Sequence, residues 1–383
     1  MSRNTHLSRK FNRIRNEAGS VMLTFALSVA ALFCFAVVAI DGAILMTTKN
    51  ELQCAADAAA LAGASAYRIG DDEVRRRAGV YAGYNYAVQD IKRPCTIDPN
   101  VDVVINRNNA NPWVQVTTHR TQATGDPLRT YFLKILDVAA GNAPTRPNRV
   151  DVTARAKAAL QDLCGASCIK PWAIPDRWRE QSVPANTSFD PGTDFYDPVA
   201  TGYIAPGDVG LRITLKQGSP QSATAPGQFN PIDFPPINKG NPVSGANQYN
   251  FWIANCCPFI IAPGDTCVTE NGNMVGPTNQ GVRDLIAMDP NAYWDGTKVV
   301  TGDPANYAVS PRVVLVPFYD PQYQPGSGKT QVIISKIGAF FIEGLAPGPG
   351  ADVVGRFVQV TAPGVPCANN SGNSLVQGLN LIE

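Results

Sequence analysis

The segment Gln324 to Thr330 reads QPGSGKT, and its Gly328-Lys329-Thr330 end has the residue types of a phosphate-cradling loop. Such a loop needs a glycine five positions before Gly328, where this chain has Tyr323. It also needs a helix to follow, so that N-terminal amides face the phosphate, whereas VIISKIGAFFI has the β-branched character of a strand. The spacing therefore predicts a hairpin loop between strands at 313–318 and 331–342. Apart from His6, the only histidine is His119, inside the strand-like run WVQVTTH. A nucleophile needs a base beside it, and a lone histidine in a strand reads as structural. Asp190, Asp194, Asp197 and Asp208 crowd one region without the D-x-[DN]-x-[DN]-G spacing of a calcium loop. No catalytic set, metal site or cofactor is expected.

Stepping outward from these groups, Val21 to Ile40 is a run of twenty residues free of charge and proline. As a helix it spans about 30 Å, the thickness of a bilayer core. Arg3, Arg9, Lys10, Arg13 and Arg15 precede it against the single acid Glu17, which predicts a cytoplasmic N-terminus. No second run of that length follows, so everything from Asp41 on is expected outside the cytoplasm. A cleaved secretory signal would carry a shorter apolar core and a nearby small-x-small site, and the nearest convincing triplets begin at Ala62 and Ala64. A retained anchor is the expectation.

The net charge of +1 and 16% charged residues supply no basic surface of the kind nucleic acid requires. Of nine cysteines, Cys34 lies within the apolar run and eight follow it, in a compartment where disulfides persist. Cys95, Cys164, Cys168, Cys256, Cys257, Cys267 and Cys367 are the candidate disulfide formers, with connectivity left open. Zinc competes poorly, because two histidines and a single Cys-x3-Cys do not make a ligand set.

Residues 1–19 are short, polar and basic and are expected to be disordered. The helix of the span should continue outside the membrane through the alanine-rich segment to about Tyr67. Leu45, Leu52, Ala56, Ala59 and Gly63 then share one small-residue stripe. A second helix is expected from Asp71 to about Val88, with acids in its first turn. The runs 101–106 and 113–119 predict a hairpin, Pro127–Val138 a helix with one apolar face, and Arg149–Ala158 a half-buried strand. After Gly165 come 25 of the 31 prolines, which predicts a second, mainly β unit with many fixed turns. Its expected strands are 210–215, 250–253, 259–261, 313–318, 331–342 and 353–360. Within Glu270 to Pro290, an Asn/Gly turn should feed one helix at Thr278–Met288.

A long helix, half in the membrane, packed on a small antiparallel sheet is a pilin-like layout. The string DGAILMTTKNELQCAADAAALAGA, with its LQ-x-AADAAALAGA core from Leu52 to Ala64, resembles the TadE/TadG-like family of tight-adherence (Flp) pilus-assembly proteins. The resemblance implies an anchored, non-catalytic accessory protein whose partners are membrane lipid and other pilus-assembly proteins or pilins. Processed members carry a glutamate at the fifth mature residue; after Gly19 this chain has Thr24 there. That departure argues for a TadG-like anchored role. No aspartate begins the D-x-S-x-S pattern of a metal-dependent adhesion domain.

The expected fold is α+β: a cytoplasmic tail (1–19), a transmembrane helix (20–43), a pilin-like α+β unit (44–162) and a mainly β, proline-rich, disulfide-tied unit (163–383). The stripe Leu52, Ala56, Ala59 and Gly63 is the expected interface with a partner helix. The expected location is a bacterial inner membrane, single-pass, with the bulk periplasmic. The rival readings are a membrane-tethered hydrolase and an adhesin released after signal cleavage.

Overall fold

The computed structural model describes residues 5–85, 95–108, 111–130, 149–186, 188–216, 230–233, 246–270, 272, 274–307, 309–326, 328–347, 350, 352–369 and 371–382, with the side chains of 5–19, Val37 and Ala246 excepted. The first element is helix α1, Thr5–Ser65, unbroken over 61 residues. It contains no proline, and alanine dominates its second half, so nothing in the sequence interrupts the hydrogen-bond ladder. The helix already includes residues 5–19, where a disordered tail was expected. Helix α2, Asp71–Tyr84, opens on Asp71, Asp72 and Glu73, which face the positive end of its dipole. Val74, Ala78 and Ala82 recur every fourth residue as its buried stripe.

The outer half of α1 and the stripe of α2 lie on a sheet. Strands β1 (Val103–Asn106) and β2 (Trp113–Arg120) form the expected antiparallel hairpin. β2 pairs along its whole length with β5 (Val152–Ala166). Alternation fixes the faces: Val114, Val116, Ala156 and Ala158 are fully buried against Ala56, Ala59, Ala60 and Ala64 of α1. Leu128–Arg129 is a short strand, β3, paired with β4 (Arg149–Val150), so the helix expected from Pro127 does not begin there. The rest of that expected helix lies outside the described residues.

The body beyond β5 is mainly β, as expected. Short strands β6 (Ile174–Pro175), β7 (Arg212–Lys216), β8 (Ile232–Asp233), β9 (Thr266–Thr269), β10 (Tyr293–Trp294) and β11 (Val299–Val300) accompany two long ones, β12 (Val313–Tyr319) and β13 (Gln331–Leu345). With β14 (Val353–Phe357) they build a sheet of order β6-β12-β13-β14-β7, and β9 joins β13 at its start. Phe318, Phe340 and Phe357 stack at its centre with ring centroids 4.5–6.0 Å apart. Two helices, α3 (Ala246–Ala254) and α4 (Val275–Met288), pack together against this core. α3 corrects the strand expected at 250–253. The strand expected at 259–261 reduces to a single bridge, Ile261 to Ala166.

The expected boundary at 162/163 falls inside β5. Three late strands, β15 (Val360–Thr361), β16 (Gly364–Pro366) and β17 (Val376–Leu381), return to the first sheet, whose order is β1-β2-β5-β17-β15 with β16 also on β5. The membrane-proximal unit is therefore completed by the end of the chain, because β5 alone has one edge satisfied by β2 and needs a partner on the other.

Candidate functional site

Helix α1 is exposed, then abruptly buried. From Val21 to Ile40 most of the described large apolar side chains are bare, with Met22 77% and Phe35 74% exposed. This apolar helix is long enough to cross a membrane. At Asp41 burial begins and recurs at Thr48, Leu52, Ala55, Ala56, Ala59 and Ala60, the periodicity of one helical face. Thr24 fits the exposed half without a polar partner outside it: its hydroxyl donates to Ser20 O at 3.0 Å and Val21 O at 2.9 Å.

The stripe expected to receive a partner helix is spent inside the molecule. Leu52, Ala56 and Ala59 are fully buried, and Gly63 is buried with them. A Cβ on Gly63 would stand 3.3 Å from Val114 Cγ1 and 3.4 Å from Ala78 Cβ. The small residues thus serve close approach, but of this chain's own β2 and α2. Thr118 Oγ1 donates to Leu52 O at 2.8 Å, which locks the sheet to the helix. The opposite strip, with Ala43, Met46, Asn50 and Cys54, is exposed.

Two disulfides form: Cys164–Cys367 joins β5 to the segment after β16, and Cys168–Cys256 joins the turn after β5 to the end of α3. Cys95, Cys257 and Cys267 are free thiols in this structure. Each fills a core position as a small apolar residue. Cys95 packs with Leu52, Leu128 and Val152, while Cys257 and Cys267 lie in the large core. Burial, reinforced by Asp102, pushes the Cys95 thiol up to about 11, and burial pushes Cys267 to about 12. These are the reverse of the shifts that make a thiol nucleophilic.

His119 Nδ1 lies 3.5 Å from Asp102 Oδ1, whose other oxygen accepts the Asp98 amide at 2.8 Å. The acids of the 190–208 region are likewise engaged by backbone. Asp194 accepts from Gln181 and Asp190 amides, Asp197 from Val199 and Ala200, and Asp208 from Ile204. Among the described residues no three His, Cys, Asp or Glu side chains converge to hold a metal. The QPGSGKT segment is the link between antiparallel β12 and β13, and Lys329 Nζ bridges Asp233 at 2.9 Å and Glu270 at 2.6 Å.

One feature escaped the sequence. Between the end of α1 and the β10–β11 ribbon lies an open cleft of about 490 Å³, to which Arg68, Trp294, Lys298 and Thr361 contribute. Its walls are more than 200 residues apart in sequence, and no local pattern joins them. A basic residue just beyond a helix end, as Arg68 is, was the only available signal.

No curated protein and no solved structure matches the chain. A family match falls on the helix described above, and it ends at Ala66, one residue beyond the last turn of α1. Residues 19–66 match the family described as putative Flp pilus-assembly TadE/G-like, so helix α1 of this chain is similar to a TadE/G-like pilus-assembly segment.

Proposed function

We propose that this chain is a TadG-like, non-catalytic accessory protein that assembles or anchors a Flp (tight-adherence) pilus from the bacterial inner membrane. Its N-terminus is cytoplasmic, α1 crosses once, and the bulk of the chain is periplasmic. The observation that carries the reading is that the family-matched segment is a single rod, exposed and apolar in its first half and built into the protein core in its second. A rod of that kind transmits position: the membrane fixes one end, and Leu52, Ala56, Ala59 and Gly63 fix the other to the folded body. Other pilus components then meet the exposed strip of α1 around Met46 and Asn50, or the surface of the β body.

The test is complementation of a deletion strain. The intact chain should restore piliation, and a version with a cleavable secretion signal in place of residues 1–40 should be secreted, folded and inactive. Full piliation from the released body would sink the anchored role. The mass of the N-terminal peptide from membrane-purified protein separates a retained anchor from a chain that starts at Ser20, and the second result would make it a filament subunit.

A further inference from the structure

The first sheet ends on β15, and that strand has an open side. Val360 N–H donates to Leu375 O at 3.0 Å and Ala362 N–H to Gln377 O at 2.8 Å, so these residues face β17. Peptide groups alternate along a strand, so those of Thr361 point the other way. Thr361 is among the residues that line the cleft of about 490 Å³ beside the β10–β11 ribbon, together with Trp294, Val299, Val309 and Val360. This size and lining suit an organic ligand or a few residues of extended chain.

The charges are one-sided. Arg68 and Lys298 line the cleft, and no carboxylate does among the described residues. Arg68 gives Nε and Nη2 to the amide oxygen of Gln377, a neutral partner, and burial lowers it from its ordinary value. Asp162 acts on Arg68 by charge and receives the Gln377 amide at 3.1 Å, while Asp295, which feels the charge of Lys298, accepts the amides of its own turn at Thr297 and Lys298. Lys298 itself is exposed at the rim.

We propose that this cleft binds an extended peptide segment of another protein, which adds as a strand beside β15 and sets a carboxylate against Arg68 and Lys298. The open backbone of Thr361 supplies main-chain pairing, the aliphatic and indole floor takes an apolar side chain, and the two cations on the lining select the acid. A second copy of this chain is not the occupant. Antiparallel pairing of β15 with its own copy needs a two-fold axis perpendicular to the sheet. Because α1 lies on that sheet, the rotation would reverse the second anchor, and this exclusion alone rests on the anchored reading above.

The test uses the full chain in lipid nanodiscs and fluorescence anisotropy. The probes are a labelled heptapeptide alternating valine with glutamate, its lysine counterpart, and a glutamate version interrupted by proline. The glutamate peptide should bind saturably, and both others at least about tenfold more weakly, since one reverses the charge and the other removes a pairing N–H. Lys298→Glu should weaken the glutamate peptide by about tenfold, and Val309→Trp should abolish binding by filling the cleft, both with unchanged thermal unfolding. Equal binding of all three peptides, no saturation up to millimolar, or indifference to both variants would overturn the proposal. Displacement by decanoate as effective as by the peptide itself would assign the cleft to a small carboxylic acid and overturn it also. None of these readouts depends on piliation, so this proposal and the pilus-assembly role fail separately.

Discussion

Lys329 lies between two carboxylates that cannot comfortably both ionise. Burial pushes Asp233 up to about 7, and its hydrogen bond and charge contact with Glu270 add to the shift, against the pull of Lys329. Burial acts on Glu270 too, but the hydrogen bonds it receives from Asp233 and Lys329 hold it below its ordinary value. The pair therefore keeps one proton, on Asp233, at mildly acidic pH. A carboxyl raised in the folded state contributes stability that is complete below its unfolded value and is lost as pH rises through its folded one. Stability should accordingly fall from about pH 4 to about pH 7 and level off above it, by at most about 1.4 kcal/mol per pH unit for one proton. Asp233→Asn should flatten that slope in thermal unfolding measured from pH 5.5 to 8.5; an unchanged slope would show that another group carries it. Ala59→Asp tests the corrected stripe at the same scale. It places a carboxylate in the fully buried seam between α1 and the sheet, where breaking a well-packed site costs about 3 kcal/mol or more. The expected result is loss of folded protein on a thermal melt, and a variant that melts normally while losing only a partner would restore the stripe as an interface.

Among the elements, those with a strong period were legible. The run Val21–Ile40, the hairpin β1–β2, the alternation in β5 and the apolar face of α4 each carry their pattern locally. Helix α3 was not legible, because Phe251, Trp252 and Ile253 favour a strand by type. Tertiary packing decides instead. Tyr249 and Ile253, four apart, are both buried, and Tyr249 OH accepts from Trp172 Nε1 at 2.7 Å and lies 3.0 Å from Thr278 Oγ1 of α4. The two helices cross at Gly281, where a Cβ would come within 2.8 Å of Ile253 Cβ and 2.9 Å of Asn250 O. Backbone and a branched side chain cannot yield cheaply, so Gly281→Ala should cost about 1–3 kcal/mol. A lowered melting temperature checks this, and a neutral result would mean that α3 and α4 separate freely. The stripe on α1 shows the opposite limit. Its small residues announced close approach, yet nothing in their spacing distinguishes this chain's own α2 and β2 from a partner's helix.

At the scale of the whole molecule, the change in proline density after Gly165 reads as a boundary, yet the strand β5 runs through it and both ends of the chain meet on one sheet. Non-local pairing of this kind leaves no local signature: Gln377 to Leu381 pair with Asp162 to Ala158 across more than 200 residues. The side chains reinforce the closure. Asp162 accepts from the Ser371 amide at 2.9 Å, from the Gly372 amide at 3.0 Å and from the Ser371 hydroxyl at 2.7 Å. Thr361 Oγ1 donates to Ser65 O at 3.1 Å, tying β15 to the last turn of the anchor helix. Cys164–Cys367 then closes a separation of 203 residues covalently. Residues 44–162 alone should therefore fail to fold as a unit. A chain ending at Phe357 would expose one edge of β5 and uncover Leu160, and would leave Asp162 with none of its three bonds from 371–372. Such a truncation should lose protease resistance in the α1–β2–β5 layer as well as in the missing strands, and the Cys164→Ala, Cys367→Ala pair in the full chain should cost about 2–5 kcal/mol. A truncated chain that kept a cooperative unfolding transition in its first 166 residues would restore two independent domains.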